Sequence, residues 1–334
     1  MKNKEMMPIF IGVVAVLLVV LGIVIGVSVL KKDDKPSYEV NLPTETEEGY
    51  QYPDFGRKVE TFVIMGVDSR ENKLGAGSYS DAIMVVVLDH KAQMVRVASL
   101  LRDTMVNIEG HGYEKLTHAN YYGGPELALQ TIKNNFDLDV KDYIQLSFGI
   151  FEELVDALGG VEIELSEVEY NKIYSDRIKA PGKYLLTGAE ALNYSRLRKD
   201  AGGDRARSER QRKVIYSLFE KVKTMPVDDV VEVAEEMIGK IGTSYREDEF
   251  IDLLYNISQY KVEGMGAFPL TYYDGLVGEV WHVVPTTLVD MNKDVYKFLY
   301  DYTEYVPSDH ALEYSEAMKE VAPEPNTNYK EQAN

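Results

Sequence analysis

Three short runs of β-branched and apolar residues stand early in the chain, at 61–67 (TFVIMGV), 82–88 (AIMVVVL) and 94–99 (MVRVAS). Each is bounded by turn-forming or polar residues, the pattern of a strand. Only 89–93 separates the second from the third, too little for a crossover helix, and 68–81 carries no helical period. An antiparallel meander is therefore expected. Asp68 then ends the first strand, Asp81 begins the second, and Arg102 and Asp103 follow the third. All four fall at one end of that meander.

Beyond the meander the period changes. After GYEKLTHANYYGG (112–124), Pro125 stands at the favoured first position of a helix whose apolar stripe is Leu129, Ile132 and Phe136. A strand is expected at 143–148, a helix at 150–158 stopped by Gly159 and Gly160, and another strand at 161–165. Thr187-Gly-Ala-Glu190 reads as a capping box opening a short helix. A longer helix is expected at 208–223, with Val214, Leu218 and Val222 on its buried stripe and Ile215 and Phe219 widening it. Alternating strands and helices predict an α/β fold: a central mixed, largely antiparallel-containing β-sheet flanked by helices.

The ends of the chain break this pattern. Residues 9–30 are twenty-two positions without a charge, about the ~20 that a helix needs to cross a bilayer. They predict an N-terminal transmembrane signal anchor behind a short tail, 1–8. Lys2 and Lys4 before the span nearly balance Lys31, Lys32 and Lys35 after it, so charge alone does not orient it. A short tail ahead of a large domain fits an exported domain, and the absence of cysteine agrees with that. Residues 31–58, rich in Pro, Glu and Thr without periodicity, read as a linker. Residues 59–306 are expected to form the folded domain, and 307–334 a poorly ordered tail.

Charge adds the candidate chemistry. The chain carries a formal net charge of −19, yet 195–213 (SRLRKDAGGDRARSERQRK) holds eight Lys/Arg in nineteen residues, six of them Arg. A basic concentration in an acidic protein points to a particular anion, and Arg offers the planar fork that suits carboxylate or phosphate. Carrying the buried stripe of 208–223 backwards puts Gln211, Arg210 and Arg207 toward the interior, at a helix start that already favours anions. Arg205, Arg212 and Lys213 are expected to face solvent. Arg196 and Arg198 share parity and would emerge on one side if 194–198 is a strand. The alternative is a solvated helix start with Ser208-x-x-Gln211 as its capping box.

Asp68 and Asp81 have the same two readings. Each alone is an ordinary turn former, but the pair converging beside Arg102 matches a magnesium–pyrophosphate site. Mg²⁺ takes one or two carboxylates plus phosphate oxygens, while guanidinium groups hold the other side of the anion. Zinc is disfavoured, because there is no Cys and the five His are scattered; His111 and His118 flank a loop at a spacing that matches no ligand motif. No G-x-S-x-G, Walker or dinucleotide-binding fingerprint is present. Nucleic acid is disfavoured by the net charge and the expected export.

Several of these segments occur together in a known order: GVDSR (66–70), SDAIMVV (80–86), SLLRD (99–103), KLTHANYYGG (115–124), LTGAEALNYSRLR (186–198) and GDRARSERQ (203–211). With them the sequence resembles the LytR-CpsA-Psr family of cell-wall glycopolymer ligases, over roughly 58–300. It departs from the family at Leu101, where Pro often precedes the arginine. The resemblance implies a membrane-anchored extracellular phosphotransferase of a Gram-positive-type bacterium. Such enzymes move an anionic glycopolymer, teichoic acid or capsular or wall polysaccharide, from polyprenyl pyrophosphate to peptidoglycan through a phosphodiester. The acceptor is typically the C6 hydroxyl of N-acetylmuramic acid, and the lipid lies in an apolar groove.

Carried onto this chain, the resemblance makes Asp68 and Asp81 ligands of Mg²⁺, or of another divalent cation such as Mn²⁺. Arg102, Arg196, Arg198, Arg207 and Arg210 would bind the pyrophosphate with Gln211 beside them, and Arg70 and Lys115 would contact phosphate or glycan. Asp103 and Asp204 would orient arginines or act as the base. The alternatives are a polyprenyl-pyrophosphate hydrolase and a non-enzymatic protein that binds the lipid carrier or anionic polymer. The transcriptional role in the family's historical name does not suit an exported domain.

Overall fold

A computed structural model of the chain describes residues 50–69, 72–197, 203–245, 260–277 and 279–322. The expected anchor and most of the expected linker lie outside them. No helix among the described residues is long and apolar enough to cross a membrane.

The first part is the expected meander: β1 (Val59–Val67), β2 (Ser80–Asp89) and β3 (Met94–Leu100), each antiparallel to the next. A small hairpin follows, β4 (Met105–Ile108) and β5 (Gly112–Lys115). It leads into α1 (Leu116–Phe136), which breaks at Gly123 and Gly124 and resumes at Pro125. Strand β6 (Asp142–Ser147) then lies parallel to β1 and runs directly into α2 (Phe148–Ala157).

Next come β7 (Val161–Leu165), a one-turn α3 (Glu167–Tyr170) and β8 (Gly182–Leu186). Strands β7 and β8 pair only with each other, apart from the main sheet. Helices α4 (Gly188–Arg196), α5 (Gly203–Thr224) and α6 (Val227–Met237) precede β9 (Gly242–Thr243). The last described elements are β10 (Lys261–Phe268), β11 (Tyr272–Val277), β12 (Val280–Pro285), α7 (Leu288–Tyr300) and α8 (Asp309–Val321). The six-stranded mixed sheet runs β10-β3-β2-β1-β6-β9.

Side-chain alternation divides the core into two layers. Phe62, Ile64, Met84, Val86 and Val97 pack with Leu154, Ala191, Leu218, Phe219 and Val230 from α2, α4, α5 and α6. Val63, Met65, Val85, Val87 and Ala98 pack on the opposite face with Ile132, Phe136, Val295, Leu299 and Met318 from α1, α7 and α8. A buried Val, Leu, Ile or Phe contributes about 1.5–3 kcal/mol, and a one-residue slip would exchange the faces of a whole strand. Register is therefore strongly fixed.

Both flanks of the domain are more ordered than their composition suggests. The presumed tail from 307 contains α8, whose cap Ser308 donates its Oγ to Asp137 Oδ1 at 2.6 Å and its N–H to Oδ2 at 2.9 Å. Tyr305 donates to the same carboxylate at 2.5 Å. Asp137 is buried at the C-terminus of α1, and burial pushes its carboxyl pKa up despite these bonds. At the other flank, the end of the presumed linker docks on the domain. Phe55 stacks on Tyr300 with centroids 4.3 Å apart, and Arg57 Nε pairs with Asp89 Oδ2 at 2.5 Å.

The junction of α2 and α4 has no room for a larger residue. Gly188 N donates to Asp156 Oδ1 at 2.7 Å, and a Cβ on Gly188 would meet the Glu152 carbonyl oxygen at 2.1 Å. Gly188→Ala must push α4 away from α2, and it is expected to lower stability by about 1–3 kcal/mol. Urea denaturation checks this, and an unchanged midpoint would contradict the close approach.

Candidate active site

The meander delivers its charged residues to one place. β1 ends in an irregularity between Gly66 and Val67, after which Asp68 donates its N–H to Tyr79 O at 3.0 Å. Asp81 sits at the start of β2 and accepts from Arg102 Nη1. Arg102 and Asp103 occupy the middle of a tight turn closed by Thr104 N–H on Leu101 O at 3.0 Å. Three further bonds hold that turn: Leu101 N–H to Phe268 O at 2.9 Å, Thr117 N–H to Arg102 O at 3.0 Å, and Val283 N–H to Asp103 O at 2.8 Å. Leu101, buried with Ala267, Tyr272 and Val283, thus uses an N–H that a proline would lack.

Asp103 points away from that pocket. Its Oδ1 lies 2.9 Å from Lys115 Nζ and its Oδ2 3.7 Å from Arg102 Nε. Together Asp81 and Asp103 bracket the Arg102 guanidinium.

The basic half comes from α4 and α5. Thr187 and Glu190 form the expected capping box, and the helix it starts runs through Arg196. The parity expected for Arg196 and Arg198 fails for that reason, since 194–196 are helical rather than extended. Arg196 lies over the Phe148 ring at 4.7 Å. On α5 the stripe Val214, Leu218 and Val222 is buried as expected, and Arg207 and Arg210 are 3% and 5% exposed.

The two buried arginines differ in direction. Arg207 lines the polar pocket with Asp68, Asp81, Arg102, Arg196 and Gln211, in a cavity of about 350 Å³. Arg210 instead donates its Nε to Glu169 Oε1 at 2.7 Å and its Nη1 to Leu197 O at 3.0 Å. Burial acts to raise the Glu169 pKa, but the Ser166 backbone N–H and Arg210 outweigh it and hold the carboxyl below its usual value. Arg210 therefore clamps α3 and the end of α4 to α5. Lys213 is exposed and pairs with Glu209 at 3.0 Å. Arg212, expected in solvent, is half-buried, and burial pushes its pKa down to about 10.

A second, narrow cavity adjoins the first. It holds about 70 Å³ between the sheet and helices α2, α4 and α5. Its sheet side is Ile64, Gly66, Ala82, Met84 and Leu146, and its helix side includes Phe151, Leu192, Val214 and Ile215. Phe148, Ser195 and Gln211 line both cavities, so the apolar groove and the charged pocket share a wall. Small residues keep the groove open at the sheet, where a Cβ on Gly66 would stand 3.2 Å from Ala82 Cβ.

The structure thus gathers Asp68, Asp81, Arg102, Arg196, Arg207 and Gln211 around one pocket, with Asp103 and Lys115 behind Arg102. Arg70 and Arg198 lie outside the described residues, as does the side chain of Asp204 in the first turn of α5. Sequence reasoning missed Tyr79, Phe148, Ser195 and the residues that line the groove. Phe148 read as the last residue of a strand, and its place at the start of α2 follows from the Ser147 cap, whose Oγ accepts the Ile150 N–H at 3.1 Å. Among the described residues no three His, Asp or Glu groups cluster as a metal cage. Asp68 and Asp81 offer hard carboxylate oxygens in a pocket shaped for an anion, a donor set that fits Mg²⁺ completed by phosphate oxygens.

Known proteins resemble this chain in sequence and in fold. The sequence profile of the LytR_cpsA_psr family matches residues 29–296. The polyisoprenyl-teichoic acid–peptidoglycan teichoic acid transferase TagT of Bacillus subtilis is 29% identical over 291 residues, covering 81% of this chain and 89% of TagT. The corresponding transferase TagU of Enterococcus faecalis is 30% identical over 282 residues, 83% of this chain and 89% of TagU. Among solved structures, TagT bound to LI-WTA superposes with a TM-score of 0.60 at 28% identity, over 75% of this chain and 94% of that one. TagT (YwtF) with bound octaprenyl pyrophosphate lipid gives 0.58 at 25% identity, over 75% and 93%.

The two roles of buried arginine on α5 can be separated. Arg210→Ala leaves Glu169 buried without its partner and is expected to cost about 3–5 kcal/mol of stability. In the parent the folded-state pKa of Glu169 lies below the usual 4.5. The pair therefore stabilises fully above that pH, and its contribution is lost as pH falls through the folded value. In the variant, protonation relieves the orphaned carboxyl, so acidification should cost it less than it costs the parent. Denaturation curves across this range test the assignment, and a variant as stable as the parent would return Arg210 to the anion pocket.

Proposed function

The chain belongs to the LytR-CpsA-Psr family, and from that membership we propose that it is a membrane-anchored, extracellular phosphotransferase. It moves an anionic glycopolymer, teichoic acid or a capsular or wall polysaccharide, from polyprenyl diphosphate to peptidoglycan. One observation carries this reading: an apolar groove adjoins a pocket of arginines and aspartates, with Phe148, Ser195 and Gln211 lining both. A polyprenyl diphosphate has that division, a hydrocarbon tail and a multiply charged head. Burial of the tail contributes about 0.8 kcal/mol per CH₂, and the arginines fix the head where the tail ends.

The reaction is an in-line displacement at the phosphorus that bears the glycan. The acceptor hydroxyl oxygen forms the new P–O bond, the bond to the bridging oxygen breaks, and polyprenyl phosphate leaves with that oxygen. Arg196, Arg198 and Arg207 counter the charge on the diphosphate, and Gln211 offers an uncharged hydrogen-bonding partner at the groove's mouth. Arg102 meets the same anion from the sheet side, oriented by Asp81 and Asp103. Such fixed donors stabilise charge without reorganising when it develops. Lys115 tethers Asp103, and both act through Arg102. Asp204, and Arg70 in the 66–70 motif, are candidates for the base and for glycan contact. Asp68 and Asp81 would hold the divalent cation, Mg²⁺ or Mn²⁺, which supplies charge neutralisation on the diphosphate oxygens when bound.

The full chain in detergent, given Mg²⁺, a lipid-linked glycan and peptidoglycan oligomers, should yield glycan joined to peptidoglycan and free polyprenyl phosphate. Free glycan phosphate without a joined product would make the protein a hydrolase instead, and binding without turnover would make it a carrier-binding protein. Asp68→Asn should lower kcat by about 10²–10³-fold, as loss of one charge-stabilising group does elsewhere, while the unfolding midpoint stays unchanged. It is a cleaner variant than Asp81→Asn, which also releases Arg102. Arg207→Ala should weaken diphosphate binding by about 1.5–3 kcal/mol in calorimetry.

A further inference from the structure

Beside the charged pocket lies a group of exposed rings that the proposed reaction leaves unused. Tyr79 forms part of the pocket wall and stacks on Tyr121, with centroids 4.6 Å and planes 12° apart. Tyr122 stacks on His111 at 4.0 Å and 2°, and Tyr121 meets Tyr122 edge-on at 5.8 Å. His118 leans on Tyr79 at 5.3 Å and on Tyr122 at 5.9 Å. The five rings form one surface leading away from the diphosphate pocket. Tyr79, Tyr121 and Tyr122 are 42%, 41% and 37% exposed, so their outer faces are open to a ligand. Contiguous apolar surface left in water marks a place of contact.

These rings are also fixed in position. Buried Asn120 donates to Ser78 O at 2.7 Å and to Gly75 O at 3.2 Å. It accepts in turn from Gln145 Nε2 at 2.8 Å, and Gln145 Oε1 accepts the Gly75 N–H at 2.6 Å. Gly77 N–H donates to Tyr121 O at 2.9 Å. The loop bearing Tyr79 is thereby bound to the first half of α1 and to β6. Gly124, at φ 73, ends that half-helix just past Tyr122 and leaves both tyrosines on the surface. Rigid rings lose little entropy on binding.

A pyranose suits this surface. Its C–H face is apolar and flat enough to lie on a ring, while its edges carry hydroxyl and acetamido groups that need polar partners. The phenol hydroxyls provide such partners, as does Glu114, whose Oε2 lies 2.8 Å from His118 Nδ1. We propose that Tyr79, Tyr121, Tyr122, His111 and His118 form a saccharide subsite for N-acetylhexosamine rings of the glycan that meets the diphosphate pocket. The inference rests on the transferase reading, which brings a sugar next to Tyr79. Such rings occur in the lipid-linked donor and in the peptidoglycan acceptor, and the test distinguishes them.

The test measures affinities of the full chain in detergent for three probes. They are a soluble peptidoglycan oligosaccharide, a short-chain polyprenyl diphosphate bearing an N-acetylhexosamine, and the same diphosphate without sugar. Tyr121→Ala should weaken a sugar-bearing probe about three- to tenfold, the worth of one ring contact. Tyr121→Ala with Tyr122→Ala should weaken it about 10- to 100-fold, and Tyr121→Phe by no more than about twofold. Affinity for the sugar-free diphosphate should stay constant throughout. Loss confined to the oligosaccharide assigns the subsite to the acceptor, and loss confined to the sugar diphosphate assigns it to the donor. Unchanged affinity for both sugar-bearing probes in the double variant overturns the subsite, and a loss in Tyr121→Phe equal to that in Tyr121→Ala overturns stacking on the Tyr121 ring as what holds the sugar. A parent that fails to bind the sugar-free diphosphate would sink the transferase reading, and ring-dependent binding of the oligosaccharide would still leave the subsite standing.

Discussion

The site depends on the directions of the strands. β1 is antiparallel to β2 and parallel to β6, and β3 is antiparallel to β2 and parallel to β10. The C-terminal ends of β1, β3, β6 and β10 therefore coincide with the N-terminal start of β2. Asp68, Asp81, Arg102 and the first turn of α2 can only lie together under that arrangement. In open α/β sheets the crevice beyond the strands' carboxyl ends is where ligands bind, for the same geometric reason. Helix α2 adds its N-terminus at Phe148, where unpaired N–H groups favour an anion. The neighbouring face of β1, β2 and β6 is apolar, and it continues into the groove without a break in the sheet.

A cluster of arginines in such a confined space is costly unless each has a partner, because an uncompensated buried charge costs several kcal/mol. The chain meets that requirement in different ways at different positions. Arg210 is matched to Glu169 in a largely buried pair and holds three helices together. Arg102 is matched to Asp81 and flanked by Asp103, with about a fifth of its side chain exposed. Arg196 is exposed and rests on Phe148, an arrangement worth about 0.5–1 kcal/mol at such a site, weak enough for a diphosphate to redirect it. The two extremes, the structural clamp Arg210 and the adjustable ligand Arg196, lie in one short segment that composition alone presents as one basic run.

That contrast explains what the sequence could and could not disclose. The meander, the restart at Pro125, the capping box at Thr187 and the buried stripe of α5 all follow from local periodicity, and each was legible. The convergence of Asp68, Asp81 and Arg102 followed from connection lengths alone. Arg210 was read as a ligand because helical phase shows that it points inward but not what it meets, and Glu169 lies 41 residues upstream. The strand considered for 194–198, on which the shared side of Arg196 and Arg198 depended, conflicts with the helix that the capping box starts. Helix α8 was missed because its buried face, Ala311, Ser315 and Met318, carries a single large apolar residue, and its cap is held by Asp137, 171 residues upstream. A groove was expected from the resemblance, but its lining was invisible for a related reason: its walls come from three strands and three helices, and no one of them carries a distinctive pattern.

The net charge of −19 acquires a purpose under the proposed function. A wall of anionic polymer surrounds such a protein, and a generally basic surface would adhere to it without selection. An acidic surface is repelled instead, and at physiological salt the field of each group fades within about 8 Å. Only an anion that enters the pocket comes close enough to Arg102, Arg196 and Arg207 for their attraction to exceed that repulsion. Entry by the diphosphate is coupled to burial of its lipid in the adjoining groove, whereas phosphates along a polymer have no tail to contribute. Discrimination thus comes from a difference between two ligands of like charge. The acidic exterior and the arginine pocket are two halves of the same selectivity.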